Sequence, residues 1–144
     1  MLKAEDLIGV YAGRGQDHLA KDGTVVQLQK PAGPDQARIA YTKEGMVIVV
    51  STPAGRPKVD AGIPDHATVD EKARMADGVV AYAGRYEIKG DAVIHHIDVS
   101  FFPNLVGSAN VRIPTFQGKL LTLTTEPDEK GGVRRIHWER LDEA

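Results

Sequence analysis

Turn signals recur along this chain at intervals that leave little room for long helices. Asp22-Gly23, Pro31-Ala-Gly-Pro34, Lys43-Glu-Gly45, Lys89-Gly-Asp91, Gln117-Gly118 and Lys130-Gly-Gly132 stand between β-rich runs. Those runs fall at residues 6–13, 24–29, 37–42, 46–51, 84–88, 92–101, 108–116, 119–125 and 133–141. Short strands joined by tight turns predict an antiparallel meander, and so a sandwich or barrel. About eight or nine strands in one domain favour closure into a barrel, because closure removes the unpaired edges. The expectation is a mostly β, single-domain protein over residues 1–144.

One segment departs from this pattern. In TVDEKARMADGVVAY, apolar residues fall at Val69, Ala73, Ala76, Val80 and Ala83, which is helical spacing. Thr68 followed three residues later by Glu71 is a capping-box signature, and Asp70 suits the positive end of a helix dipole. One amphipathic helix is expected at about 68–80, against the barrel or across its mouth. The Pro- and Gly-rich stretch STPAGRPKVDAGIPDHA before it reads as a long surface loop.

Composition narrows the class. A net charge of −2 with scattered Lys and Arg does not build the basic face that nucleic acid needs. With no cysteine, disulfides and thiolate chemistry are excluded. The N-terminus MLKAEDLIGVYAGRGQDH has acidic residues where a signal peptide carries its apolar stretch. No apolar run approaches the roughly 20 residues of a membrane helix. These features point to a soluble, cytoplasmic protein with neither nucleic-acid nor membrane partners. A homodimer built on the helix or on outward apolar strand residues is compatible with the sequence.

Strand alternation suggests what faces inward. Trp138 and Ile136 share a face with Arg134 and Arg140, and Tyr86 shares one with Ile88. In AVIHHIDVSFFPN, one face holds Val93, His95, Ile97, Val99 and Phe101, and the other Ile94, His96, Asp98, Ser100 and Phe102. Burying the first face puts His95 in the core and leaves His96, Asp98 and Ser100 in water. A ligand-binding barrel permits the reverse.

Several stretches together resemble the bacterial lipocalin-like domain family, among the calycin-type β-barrels. They are LIGVYAGRG, ARIAYTKEGMVIVV, YAGRYEIKGDAVIHHIDVSFFPNLVGSANVR and GKLLTLTT with the closing IHWERL. Gly9-Val10-Tyr11 stands where lipocalins usually carry Gly-x-Trp, with Arg140 or Arg134 as the basic residue that could cover the aromatic ring. The resemblance implies an antiparallel barrel with a small, largely apolar molecule in its lumen, aromatic or polyketide-like. Some relatives of this architecture are isomerases, cyclases or lyases.

The residues offer two kinds of site. His96 and Asp98, two apart on one face, could form an oriented acid/base pair, with Ser100 extending the row and Asn104 as an oxyanion donor. His95 in the lumen would be a neutral imidazole needing partners, which Tyr11, Tyr41, Tyr82 or Tyr86 could supply. It could act as a cofactor-independent acid/base, anchor a ligand, or be a satisfied core residue. Phe102, Arg112 for an anionic head group and Trp138 for stacking complete the candidate ligand-binding set. Adjacent histidines diverge on a strand, and His18, His66 and His137 lack ligand spacing, so no metal is expected. Nor do GxGxxG, GxxxxGK[ST] or GxSxG motifs occur, so no nucleotide cofactor or hydrolase elbow is expected. A filled-core interaction module is the remaining alternative.

Overall fold

The structure, a computed structural model, describes residues 1–26 and 36–142. In chain order the elements are helix α1 (Ala4–Leu7), strands β1 (Gly9–Leu19), β2 (Val25–Val26), β3 (Gln36–Tyr41) and β4 (Met46–Thr52), helix α2 (Val69–Ala76), then β5 (Val80–Lys89), β6 (Ala92–Ser100), β7 (Ala109–Gln117), β8 (Leu120–Thr125) and β9 (Val133–Arg140). The strands form one antiparallel sheet in the order β2-β1-β3-β4-β5-β6-β7-β8-β9, and β1 also pairs with β9. Eight strands therefore close a barrel, and the short β2 extends the far end of β1. This is the expected mostly β architecture. The strand expected at 24–29 is seen as far as Val26; its remainder and the turn Pro31–Pro34 lie outside the described residues. Among the described residues, no helix is long and apolar enough to cross a membrane.

Period-two alternation fills the interior. Ala37, Ile39 and Tyr41 of β3, Val47 and Val49 of β4, Leu121 and Leu123 of β8 and Trp138 of β9 belong to one buried cluster. Two bulges interrupt the alternation. On β6, Gly84 opposite Ile97 is followed in register by Ala83 opposite Val99, which leaves Asp98 as the extra residue. The shift reverses the faces beyond it. Val93, His95 and Ile97 are buried, whereas Val99 is 65% exposed, and Ser100 instead pairs with the buried Tyr82. The face expected to run from Val93 to Phe101 thus ends at Ile97. Gly84 makes the bulge sterically feasible, since a Cβ there would lie 1.7 Å from the His96 carbonyl oxygen.

The second bulge lies on β1, between Gly13 opposite Trp138 and Gln16 opposite Ile136. Two strand steps on β9 face three on β1, and Gly15 takes up the positive φ of 94°. Gln16 consequently shares the inner face of Ile136, while Asp17 shares the outer face of Arg135.

One end of the barrel is closed by α1, whose Leu7 is fully buried in the core cluster. Tyr11 donates to the Leu7 carbonyl at 2.7 Å. Arg140, rather than Arg134, covers Tyr11, with its guanidinium carbon 4.8 Å from the ring centroid. Arg140 donates to the Ile8 carbonyl at 2.6 Å, the Asp6 carbonyl at 3.0 Å and the Tyr11 hydroxyl at 2.6 Å. Carbonyls at the end of α1 that would lack partners are satisfied in this way. The glycine of Gly9-Val10-Tyr11 follows from the same contact. A Cβ on Gly9 would sit 2.3 Å from Arg140 Nη1, and its φ of 148° disfavours other residues.

Helix α2 is shorter than expected and differently seated. The capping box is present, with Thr68 and Glu71 each accepting from the other's backbone N–H. The spacing from Val69 to Ala83, however, spans two elements, because Gly78 at φ 72° separates α2 from β5. Val69 is 83% exposed and the buried residue of α2 is Glu71. Its carboxylate accepts from the Thr68 N–H at 3.0 Å and the Asp60 N–H at 2.8 Å. The helix is thus tied to its preceding loop by hydrogen bonds, not to the barrel by an apolar stripe.

Replacing Arg140 by leucine should lower the unfolding free energy by about 2 kcal/mol, the scale of charge-assisted hydrogen bonds, with an unchanged urea slope. Gly9→Ala should cost less in the Arg140→Leu background than in the wild type, because both changes disrupt one contact. Strict additivity in a urea double-mutant cycle would contradict this assignment.

Candidate functional site

The other end of the barrel is open. A cup of about 310 Å3 descends from it, with Ile39, Val49, Leu123, Ile136 and Trp138 among its apolar lining. The centre is therefore not packed shut. The volume falls at the small end of the roughly 300–1,000 Å3 typical of ligand sites. Tyr82, His95, Asn110 and Arg112 supply polar groups on one wall, and Gln16, Ser51, Arg134 and His137 add others. β7 contributes through alternation: Asn110 and Arg112 share the inner face, opposite His95 and Val93 of β6 respectively.

His95 organises the polar wall. It is 1% exposed, with the Tyr41 hydroxyl 2.7 Å from Nε2 and the Tyr82 hydroxyl 2.8 Å from Nδ1. A neutral imidazole has one N–H and one lone pair, so one phenol accepts from the ring while the other donates to it. Burial lowers the His95 pKa to about 3, and the positive charge of Arg112 acts in the same direction. Tyr41 and Tyr82 are raised by burial, Tyr41 well above the ordinary phenol value. The neighbouring Asn110 side chain partly opposes the rise of Tyr82. The trio is neutral at physiological pH. An imidazole that protonates only near pH 3 is a weak base, and this environment equips His95 to hold and orient hydroxyls more than to carry a proton.

Arg112 is half-buried beside this trio, and its Nη1 donates to the neighbouring Val111 carbonyl at 2.9 Å. Burial lowers its pKa; the phenols of Tyr82 and Tyr41 and the Glu126 carboxylate oppose that shift, while Arg134 adds to it.

The residues singled out by sequence do not share one place. His95, Arg112 and Trp138 line the cup. Tyr41 is the buried partner of His95. Tyr11 and Tyr86 belong to the closed end: Tyr86 donates to the Thr42 carbonyl at 2.9 Å and packs edge-on to Tyr41, with centroids 5.1 Å apart. Ser100 is half-buried with its Oγ unpartnered, and Phe102 and Asn104 are exposed in and beside the short turn Pro103–Leu105. None of these three lines the cup. The His96–Asp98 pair expected as an acid/base row faces outward. His96 Nε2 lies 3.0 Å from Glu87 Oε1, and that carboxylate, not Asp98, is its partner. The reason is the burial of Val93, His95 and Ile97, which obliges the alternate residues to face solvent.

Asn110 and Arg134, absent from the candidate ligand-binding residues above, line the cup, as does Tyr82, offered above only as a partner for His95. Each carries a period-two signal: Tyr82 stands four residues before Tyr86, Asn110 two before Arg112, and Arg134 two before Ile136. The bulge on β1 also produces a polar ladder that alternation does not reveal. Asp17 Oδ2 lies 2.8 Å from His137 Nε2 and accepts from Arg135 at 3.1 Å, while Thr122 Oγ1 lies 2.9 Å from His137 Nδ1. The His137 hydrogen bond is the largest of the effects that lower the Asp17 pKa. The ladder ties β1, β9 and β8 together.

His95 gives the protein a pH signature. Its folded pKa of about 3 lies below the ordinary 6.5, so the unfolded chain binds the extra proton between those values. Stability contributed by neutral His95 is complete above pH 6.5 and should fall by up to about 1.4 kcal/mol per pH unit as pH drops toward 3. His95→Gln should remove this component, seen as a flatter dependence of the urea midpoint on pH. Parallel curves for the two proteins would refute it.

A family match agrees with the barrel architecture. The family described as lipocalin-like domain matches residues 20–141. Among solved structures, an uncharacterized protein from Bacteroides eggerthii aligns over 94% of this chain and 100% of its own, with 11% identity and a TM-score of 0.47. No curated protein matches. Lipocalin-like barrels suggest ligand binding in general. On the family match, the chain belongs to the lipocalin-like domain family.

Proposed function

We propose that this protein binds a small, largely apolar molecule, aromatic or polyketide-like, in the open cup of its barrel. The observation that carries this reading is the composition of the cup. Aliphatic walls and the ring of Trp138 surround a few convergent polar groups at Tyr82, His95, Asn110 and Arg112. Such a mixture is what ligand pockets use to combine affinity with orientation. The neutral Tyr41–His95–Tyr82 trio supports a binding role, since it holds the cup-lining Tyr82 hydroxyl preorganised at little cost in side-chain entropy. The alternative of a cofactor-independent isomerase, cyclase or lyase has less support, because His95 is a weak base and His96 faces away from the cup.

The cup can be tested directly. A neutral aromatic such as 2-naphthol should bind the wild-type protein in a calorimetric titration and change the emission of Trp138, the single tryptophan. Ser51, which lines the cup, provides a blocking position. Ser51→Phe should weaken binding at least about tenfold by occupying the space, with the urea midpoint nearly unchanged. Equal affinity in the blocked variant would place binding elsewhere and defeat the proposal.

A further inference from the structure

The charge inside the cup is one-sided. Arg112 and Arg134 both line it, and among its described lining residues there is no aspartate or glutamate. Among the described residues, neither guanidinium takes part in an ion pair. The side-chain hydrogen bond of Arg112 goes to the Val111 carbonyl, which leaves most of its five N–H donors without an acceptor among the described residues. Glu126 acts on Arg112 only through space.

A partly buried guanidinium without a counter-charge lacks compensation for its lost hydration. The positive charge of Arg134, an exposed residue nearer the mouth, repels Arg112 and makes the arrangement worse for the empty protein. Cations elsewhere on the barrel are served differently: Arg14 pairs with Glu139 at 2.7 Å, Arg135 with Asp17 at 3.1 Å, and Arg140 satisfies three oxygens. The two unpaired guanidiniums sit where the apolar cup could receive a ligand. The Asn110 amide can donate hydrogen bonds, the Tyr82 hydroxyl can do so in the tautomer in which it accepts from His95 Nδ1–H, and His95 is held neutral, so no described group on that wall repels an anion.

On the reading that the cup binds a small apolar molecule, we infer that this molecule carries one anionic group, an aryl or alkyl carboxylate, which accepts hydrogen bonds from the Arg112 guanidinium. Arg134 strengthens the same field from nearer the open end. The apolar body of the ligand lies against Ile39, Val49, Leu123 and Trp138. Planar guanidinium and carboxylate groups match in geometry, and the pair gains from the low dielectric of the wall. The inference also accounts for the missing acid: a carboxylate in the cup would already neutralise Arg112 and exclude the ligand.

The test compares two molecules of nearly equal shape, 2-naphthoate and 2-naphthamide, by calorimetry at neutral pH. The wild type should bind the carboxylate about ten- to a hundredfold more tightly than the amide, the range for hydrogen bonds to charged groups. Arg112→Met should abolish this preference while retaining amide binding, and Arg134→Ala should reduce it by a smaller factor. The ligand-free Arg112→Met protein should also have a urea midpoint at least as high as the wild type, because an uncompensated charge has been removed. Equal wild-type affinities for the two molecules would overturn the anion inference and leave the apolar cup intact. Failure of both naphthoate and naphthamide, together with 2-naphthol, would overturn both readings. A marked drop in the Arg112→Met midpoint would assign Arg112 a structural role and overturn the inference as well.

Discussion

Closure of the sheet through the β1–β9 ladder removes two open edges and forces every inward side chain into one interior. That ladder runs from Tyr11 opposite Arg140 to Leu19 opposite Val133, and it is fastened at the closed end by Arg140. The guanidinium reaches across Tyr11 to the carbonyls that end α1. Gly9 leaves the space it needs. The short motif near the N-terminus and an arginine at the end of the last strand are thus halves of one device, far apart in sequence and joined by the topology. With that end sealed, the remaining volume of the barrel lies toward the opposite mouth.

The interior is divided by polarity. Below lie Leu7, Tyr11, Tyr41, Val47 and Val93 in a closely packed layer. At the transition stands His95, whose two nitrogens are both occupied by phenols. Satisfying both nitrogens allows a polar residue to be buried without a large penalty. The trio forms a rigid floor on one side of the cup, and Tyr82 is the member that belongs to both the packed cluster and the lining. Packing and recognition therefore share a residue.

Much of this was legible in the sequence, and the failures have physical causes. Turn chemistry located the strands, and alternation put Trp138, Ile136 and Arg134 on the inner face. Alternation misjudged β6 beyond Ile97, since a bulge at Asp98 reverses the faces and the pattern carries no mark of it except Gly84 on the neighbouring strand. The same uncertainty over β6 left both orientations of His95 and His96 open until the burial of Val93 and Ile97 decided between them. The apolar spacing from Val69 to Ala83 mixed a short helix with the start of a strand. The capping box was the sounder signal there, because it describes a local hydrogen-bond geometry, whereas a helical period can arise across a boundary. Pairings between distant strands, such as Tyr41 with His95, depend on register and cannot be read from spacing alone.

The bulge at Asp98 has an effect beyond the orientation of its neighbours. β6 and β7 pair only from Val93 to His96, opposite Arg112 to Ala109. Past that point the connection passes through the turn Pro103–Leu105, held to β6 by hydrogen bonds between Ile97 and residues Gly107 and Ser108. Leu105 from this turn forms part of the cup wall. On this side the vessel is walled by a connecting segment where elsewhere it has a laddered strand. Backbone with fewer ladder bonds opens at lower free energy than the surrounding sheet. The turn is therefore the stretch of cup wall that yields before the ring of strands does.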